Sequence, residues 1–125
     1  MNKKIRKTIM IALVLGISQS ALADHICDAD ITSAIGEIKS QYGDEQFLGK
    51  RASYDADGLI DKLDAAMGKL HYGKSSDAND KVLDAQYKLD QMVGGKRKLT
   101  NAGYDEISSD IDDVLACIEP FLPAD

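Results

Sequence analysis

Apolar residues recur along most of the chain at spacings of three and four, the pattern of amphipathic helices that share one core. Four such segments are separated by short stretches rich in glycine, and none alternates with a period of two over the length of a strand. The pattern predicts an all-helical protein with sheet content near zero.

The first helix is predicted from about Asp28 to Tyr42, where residues 43–44 end it. The second runs from the mid-50s to about His71 and stops at Gly73. The predicted core positions of these two helices are Ile31, Ile35, Ile38 and Tyr42, then Leu59, Leu63, Ala66 and Leu70.

The third helix follows the letters GKSSDA, where Ser75 or Ser76 is predicted to cap it, and it ends at residues 94–95. The fourth starts at Thr100, another predicted cap, and ends at Pro120. Their predicted core positions are Ala78, Val82, Ala85, Leu89 and Val93, then Tyr104, Ile107, Ile111, Val114, Leu115 and Ile118.

The connections indicate the topology. Links of about three to six residues join the second helix to the third and the third to the fourth, and such links make antiparallel neighbours. The link from the first helix to the second is longer and contains Phe47 and Leu48. These two residues are predicted to fold onto the bundle as a lid or to form an extra helical turn.

The first 23 residues have the three parts of a secretory signal peptide. The letters MNKKIRKT carry four positive charges, IMIALVLGI is an apolar run too short for a membrane span, and SQSALA ends in small residues. Cleavage is predicted after Ala23, which leaves residues 24–125 as a single helical domain. The expected location is the bacterial periplasm or the outside of the cell.

Cys27 and Cys117 flank almost the whole helical region. An even pair in an exported protein is typical of a disulfide. Four antiparallel helices bring the end of the last helix back to the start of the first, whereas three would separate the two cysteines. The cysteine positions therefore favour four helices independently of the apolar pattern.

Charge narrows the range of partners. The chain has 15 Lys and Arg against 21 Asp and Glu. Four of the basic residues lie in the predicted signal peptide, so residues 24–125 keep 11 basic and 21 acidic side chains, a net charge of −10. Such a surface repels nucleic acid and anionic lipid, so neither is an expected partner. The negative charge either suits a basic protein partner or serves only to keep the protein in solution.

Residues 53–64, SYDADGLIDKLD, allow two interpretations. Counted as a twelve-residue calcium loop, they place glycine at the sixth position and carboxylates at the third, fifth, ninth and twelfth, with serine at the first. Alternatively, they are the start of the second helix, capped by Asp55 or Asp57. The acidic residues are Asp55, Asp57, Asp61 and Asp64.

Few residues are suited to catalysis. The chain has two histidines, His25 and His71, and no Gly-x-Ser-x-Gly or His-Glu-x-x-His pattern. His71 ends the second helix, where an imidazole complements the helix dipole; a small hydrolase using His71 and nearby acids is the enzymatic alternative. The basic letters GGKRK, residues 94–98, fit a turn after the third helix or a contact for an acidic partner.

A family resemblance rests on the letters LIDKLDAAMGKLHYGKSSDANDKV, GGKRKLT and ISSDIDDVLACI. With their helix pattern and turn glycines, residues 59–118 resemble the FIMAH domain of large secreted bacterial proteins. The resemblance implies an all-helical, non-catalytic accessory domain, and it carries over no functional residues. Here the segment stands with an added first helix and a disulfide rather than attached to an extracellular enzyme.

These features predict an antiparallel up-and-down four-helix bundle closed by one disulfide. The expected function is non-enzymatic binding of a protein partner through an acidic helical face, with no cofactor. One alternative is a periplasmic immunity or inhibitor protein, and another is a calcium-dependent structural protein that uses residues 53–64.

Overall fold

The computed structural model describes residues 19–94 and 97–123 and confirms the four-helix prediction. Each helix packs against the next along the chain, and the last packs back onto the first, as in an up-and-down bundle. The elements are α1 at Gln19–Gly43, α2 at Ala52–His71, α3 at Ser75–Met92, α4 at Asn101–Ile118 and a 3₁₀ turn at Glu119–Phe121.

The disulfide joins the start of the bundle to its end. Cys27 of α1 and Cys117 of α4 are bonded, with their Cα atoms 5.7 Å apart. Both side chains are buried. The predicted pairing and the predicted meeting of the two cysteines at one end of the bundle are therefore confirmed.

The core is built from the predicted apolar stripes, with one correction in α1. Tyr42 is 45% exposed, and Ala34 is fully buried instead. Each buried leucine or isoleucine contributes about 1.5–3 kcal/mol relative to an exposed one. The largest fully buried aliphatic side chains are Ile31, Ile38, Leu59, Leu63, Leu70, Val82, Leu89, Ile107, Ile111, Val114 and Ile118.

Helix starts differ most from expectation. α1 begins nine residues before Asp28, because the alanine-rich letters that precede it favour a helix. The predicted cut after Ala23 falls inside this helix, and residues 1–18 lie outside the described part of the chain. α2 begins at Ala52, so the predicted capping by Asp55 or Asp57 is wrong.

The cap of α3 also differs, because the preceding turn is very short. Gly73 has φ of +73°, and its N–H donates to the carbonyl of Leu70 while the N–H of Lys74 donates to that of Lys69. This Schellman pair ends α2 and leaves Lys74 in the capping position of α3. Ser75 is therefore the first helical residue, and the predicted serine cap is wrong.

The cap of α4 is as predicted. Thr100 has extended backbone angles, and its hydroxyl accepts a hydrogen bond of 3.0 Å from the N–H of Gly103. Gly103 is buried, and a Cβ there would lie 2.9 Å from Leu99 Cδ1 and 3.0 Å from Gln46 Cβ. The two connections therefore pack tightly around the start of α4.

The two longer connections pair with each other at the end of the bundle away from the disulfide. The N–H of Leu48 donates to the carbonyl of Lys98, and that of Thr100 donates to the carbonyl of Gln46, which makes an isolated antiparallel bridge between the residues Phe47 and Leu99. Phe47 is buried and acts as the predicted lid, whereas Leu48 is 39% exposed. The alternative of an extra helical turn is wrong.

Among residues 19–94 and 97–123, no helix combines the length and the apolar character that crossing a membrane requires.

Candidate functional site

The outer face of α4 carries negative charge, and the helix itself contributes no positive side chain. The helix contains five acidic residues and neither lysine nor arginine. Asp105, Glu106 and Asp112 are exposed, Asp113 is half-buried, and Asp110 is buried. The acidic face is defined here as Asp105, Glu106 and Asp112.

In α2 and α3 the acidic residues are partly compensated by lysines. α2 and α3 each contain four aspartates, and each also contains two lysines. The lysine side chains cross between helices: a Cβ on Gly58 of α2 would lie 2.9 Å from Lys88 Cε of α3. No acidic residue of α4 is therefore matched by a lysine or arginine in the same helix, whereas α2 and α3 each have one lysine for every two aspartates.

Hydrogen bonds hold α4 against α3 and leave its acidic face directed outward. The Tyr104 hydroxyl donates to Asp90 Oδ1 over 2.6 Å, and Gln86 Nε2 donates to Asp112 Oδ1 over 3.1 Å. The hydrogen bond to Asp90, with added desolvation, raises the pKa of Tyr104 above 10.0. Because Asp112 has a second carboxylate oxygen, it keeps an acceptor for a partner.

Of the basic letters at residues 94–98, the described residues Gly94, Arg97 and Lys98 have the hydrogen bonds of a turn, as one of the two interpretations predicts. Arg97 has φ of +46° and donates its N–H to the carbonyl of Gly94, while the N–H of Lys98 donates to that of Met92 at the end of α3. Lys98 Nζ lies 3.9 Å from Oδ1 of Asp55. Lys98 thus faces an acid of its own chain; residues 95 and 96 lie outside the described part.

The calcium interpretation of residues 53–64 requires a loop, and the structure places all twelve residues within α2. Asp55 is buried beside Lys98, whereas Asp57, Asp61 and Asp64 are exposed. No group of three or more potential metal-ligating side chains is found in the described ranges. The geometry of a calcium loop is therefore not formed.

His71 lies half-exposed at the last residue of α2, as the dipole interpretation expects. Its Nε2 is 2.8 Å from Oδ2 of Asp28, so it also links α2 to the start of the bundle next to Cys27. The side chain of His25 lies outside those that the structure describes.

A second region, near the disulfide, was missed at the sequence level. Gly68, Gly73, Lys74 and Ser75 have the spacing Gly-x-x-x-x-Gly-Lys-Ser of phosphate-binding loops. The structure places Gly68 inside α2, and only the last three residues lie at the turn into α3. This spacing is the signal that could have indicated the region.

A hollow of about 380 Å³ adjoins that turn. Residues 73–77 form one side of it, and Phe121 and Pro123 form the other. Ser75, at 9% exposure, is among the few buried polar residues. The hollow thus combines a helix start with an apolar wall.

Comparison with known proteins finds no family model, no curated protein and no solved structure that matches this chain.

Proposed function

We propose that this protein is an exported, non-enzymatic binding module that docks on a basic surface of a partner protein through the acidic face of α4. The observation that carries the proposal is the set of exposed carboxylates Asp105, Glu106 and Asp112 on a helix without lysine or arginine. Complementary charge of this kind accelerates association and selects among partners.

The shape of the same face supports docking. Ser109 lies between its carboxylates, and Ala102 and Ala116 flank them along the helix; all three side chains are exposed and small. Small side chains let a partner approach the helix closely without losing much side-chain entropy. The face therefore offers charge on a nearly smooth surface.

Export is supported by the predicted signal peptide and by the disulfide, since such bonds persist in oxidising compartments. The resemblance of residues 59–118 to the FIMAH domain supports an accessory role. A periplasmic immunity or inhibitor protein is the narrower form of this proposal, in which the partner is a toxin or an enzyme.

The experiment compares two variants of equal charge. One neutralises the acidic face with Asp105→Asn, Glu106→Gln and Asp112→Asn. The matched control neutralises three exposed aspartates of α2 with Asp57→Asn, Asp61→Asn and Asp64→Asn. Immobilised protein is exposed to periplasmic extract and to culture medium, and the affinity of the retained partner is then measured.

The wild type and the control are expected to retain one stoichiometric partner, and the acidic-face variant is expected to bind it more weakly. Three exposed ion pairs at about 0.2–1 kcal/mol each correspond to about a 3- to 150-fold loss of affinity. Binding should also weaken as salt screens the charges. A partner held equally by both variants, or repeated capture of none, would contradict the proposal.

A further inference from the structure

The outer face of α3 exposes two large apolar side chains. Leu83 is 43% exposed and Tyr87 is 67% exposed. They stand four residues apart, so they are neighbours on the same face of the helix. Apolar residues scattered singly on a surface need no explanation, whereas adjacent ones with a polar rim indicate a contact surface.

The rim of this pair is acidic. In α3, which lies wholly within the described chain, the two lysines are half-buried and every exposed charged residue is an aspartate. Asp80 and Asp84 stand four residues apart, where like charges repel, and neither forms an ion pair with the described residues. The fold thus tolerates a repulsion that a positively charged partner would relieve. The exposed aspartates are Asp77, Asp80, Asp84 and Asp90.

Leu83 lies on the side of α3 that faces α4. Gln86 and Asp90 follow it at spacings of three and four and share its side of the helix. Both contact α4, because Gln86 donates a hydrogen bond to Asp112 and Asp90 accepts one from Tyr104. In the described chain, α3 and α4 also have the least extensive contact of the four neighbouring helix pairs. Leu83 therefore borders a shallow groove whose other side leads to the acidic face of α4.

We propose that this apolar-acidic surface, defined as Asp80, Leu83, Asp84 and Tyr87, binds a basic amphipathic helix of the partner protein. The inference rests on the proposed function and extends the docking surface from α4 to α3. Apolar side chains of the partner helix contact Leu83 and Tyr87, and its lysines or arginines reach the carboxylates of α3 and the acidic face of α4.

Charge complementarity decides between the possible occupants of this surface. A second copy of this chain would bring its own excess of acidic residues against Asp80 and Asp84, and an anionic lipid would bring its phosphates. Both would be repelled, whereas a basic segment of a protein is attracted. The apolar pair then requires that this segment also presents apolar side chains at the spacing of a helix.

The test uses two labelled peptides of about 15 residues, each made of leucine and lysine in the same proportion. In the first peptide the leucines recur at spacings of three and four, and in the second they do not. Each is titrated with the intact, oxidised protein and followed by fluorescence anisotropy. The first is expected to bind about tenfold more tightly, because only it presents leucines on one helical face together with the positive charge.

The double variant Leu83→Ala with Tyr87→Ala removes the apolar pair and is expected to bind the first peptide about tenfold more weakly. The matched control is Leu48→Ala with Tyr72→Ala, which removes the same two types of exposed side chain from the connections and should leave the affinity unchanged. Circular dichroism checks that both double variants keep their helical content.

Equal affinity of the two peptides would overturn the proposal, and so would an equal effect of the two double variants or no saturable binding up to about 1 mM peptide. Dimers of the protein alone in analytical ultracentrifugation that disappear in Leu83→Ala with Tyr87→Ala would assign the surface to a second copy and also overturn it. The proposed function fails on a different result, since it depends on the carboxylates of α4, which these variants leave intact.

Discussion

Reduction of the disulfide should remove a large part of the stability of the bundle without changing any residue. The bond between Cys27 and Cys117 joins positions 90 residues apart. Closing a loop of that size lowers the entropy of the unfolded chain by an amount worth about 4–5 kcal/mol. A domain of this size is stable by about 5–15 kcal/mol in total. Opening the ring should therefore remove about a quarter of the stability or more.

Urea unfolding followed by far-ultraviolet circular dichroism, with and without reductant, measures this loss at constant sequence. A free-thiol assay on the unfolded, unreduced protein should read zero, which confirms that the ring is closed at the start. The urea dependence of the unfolding free energy should also steepen on reduction, because the open chain exposes more surface. A loss below about 1 kcal/mol would refute the entropic reasoning.

Three further outcomes are expected. Gly103→Ala should destabilise the bundle by about 1–3 kcal/mol through overpacking, whereas the exposed Ser109→Ala should change the urea midpoint little. The pKa of Tyr104 is raised by its hydrogen bond to Asp90, so this bond stabilises the fold fully below pH 10.0 and is lost as the pH rises through the raised value. The stability advantage of the wild type over Tyr104→Phe should therefore vanish in strong alkali. An advantage that persists there would contradict the expected direction of the pH dependence. Because residues 53–64 are helical, several millimolar calcium should not raise the melting midpoint relative to chelator, and a clear rise would restore the calcium interpretation.

The helices and their partners are readable from the sequence because burial imposes a period on each segment. Ile31 and Leu63 fall on stripes that the structure buries. The two bonded cysteines indicate an even number of antiparallel helices, because only then do the two ends of the chain meet. Tyr42 follows the same spacing yet is exposed, because it lies in the last turn of α1, while Phe47 from the next connection covers the core. Periodicity alone does not show where a helix leaves the core.

Features that depend on two distant segments were not predictable. The bridge between Phe47 and Leu99 joins connections about fifty residues apart, and neither connection alternates strongly enough to indicate a strand. The acidic character of α4 is visible in the letters, but the burial of Ser75 depends on its surroundings in the fold. The serine cap predicted for α3 was wrong for a related reason, because the turn at Gly73 places Lys74 in the capping position.

The ring has a mechanical consequence. A force that pulls on the chain before Cys27 and after Cys117 passes through the covalent bond and does not load the helical segments between the two cysteines. The 90-residue separation holds back roughly 300 Å of extended chain, which cannot lengthen under tension while the bond is intact. Held by its two ends, the oxidised bundle would behave as a short, inextensible link that keeps its folded surfaces under load.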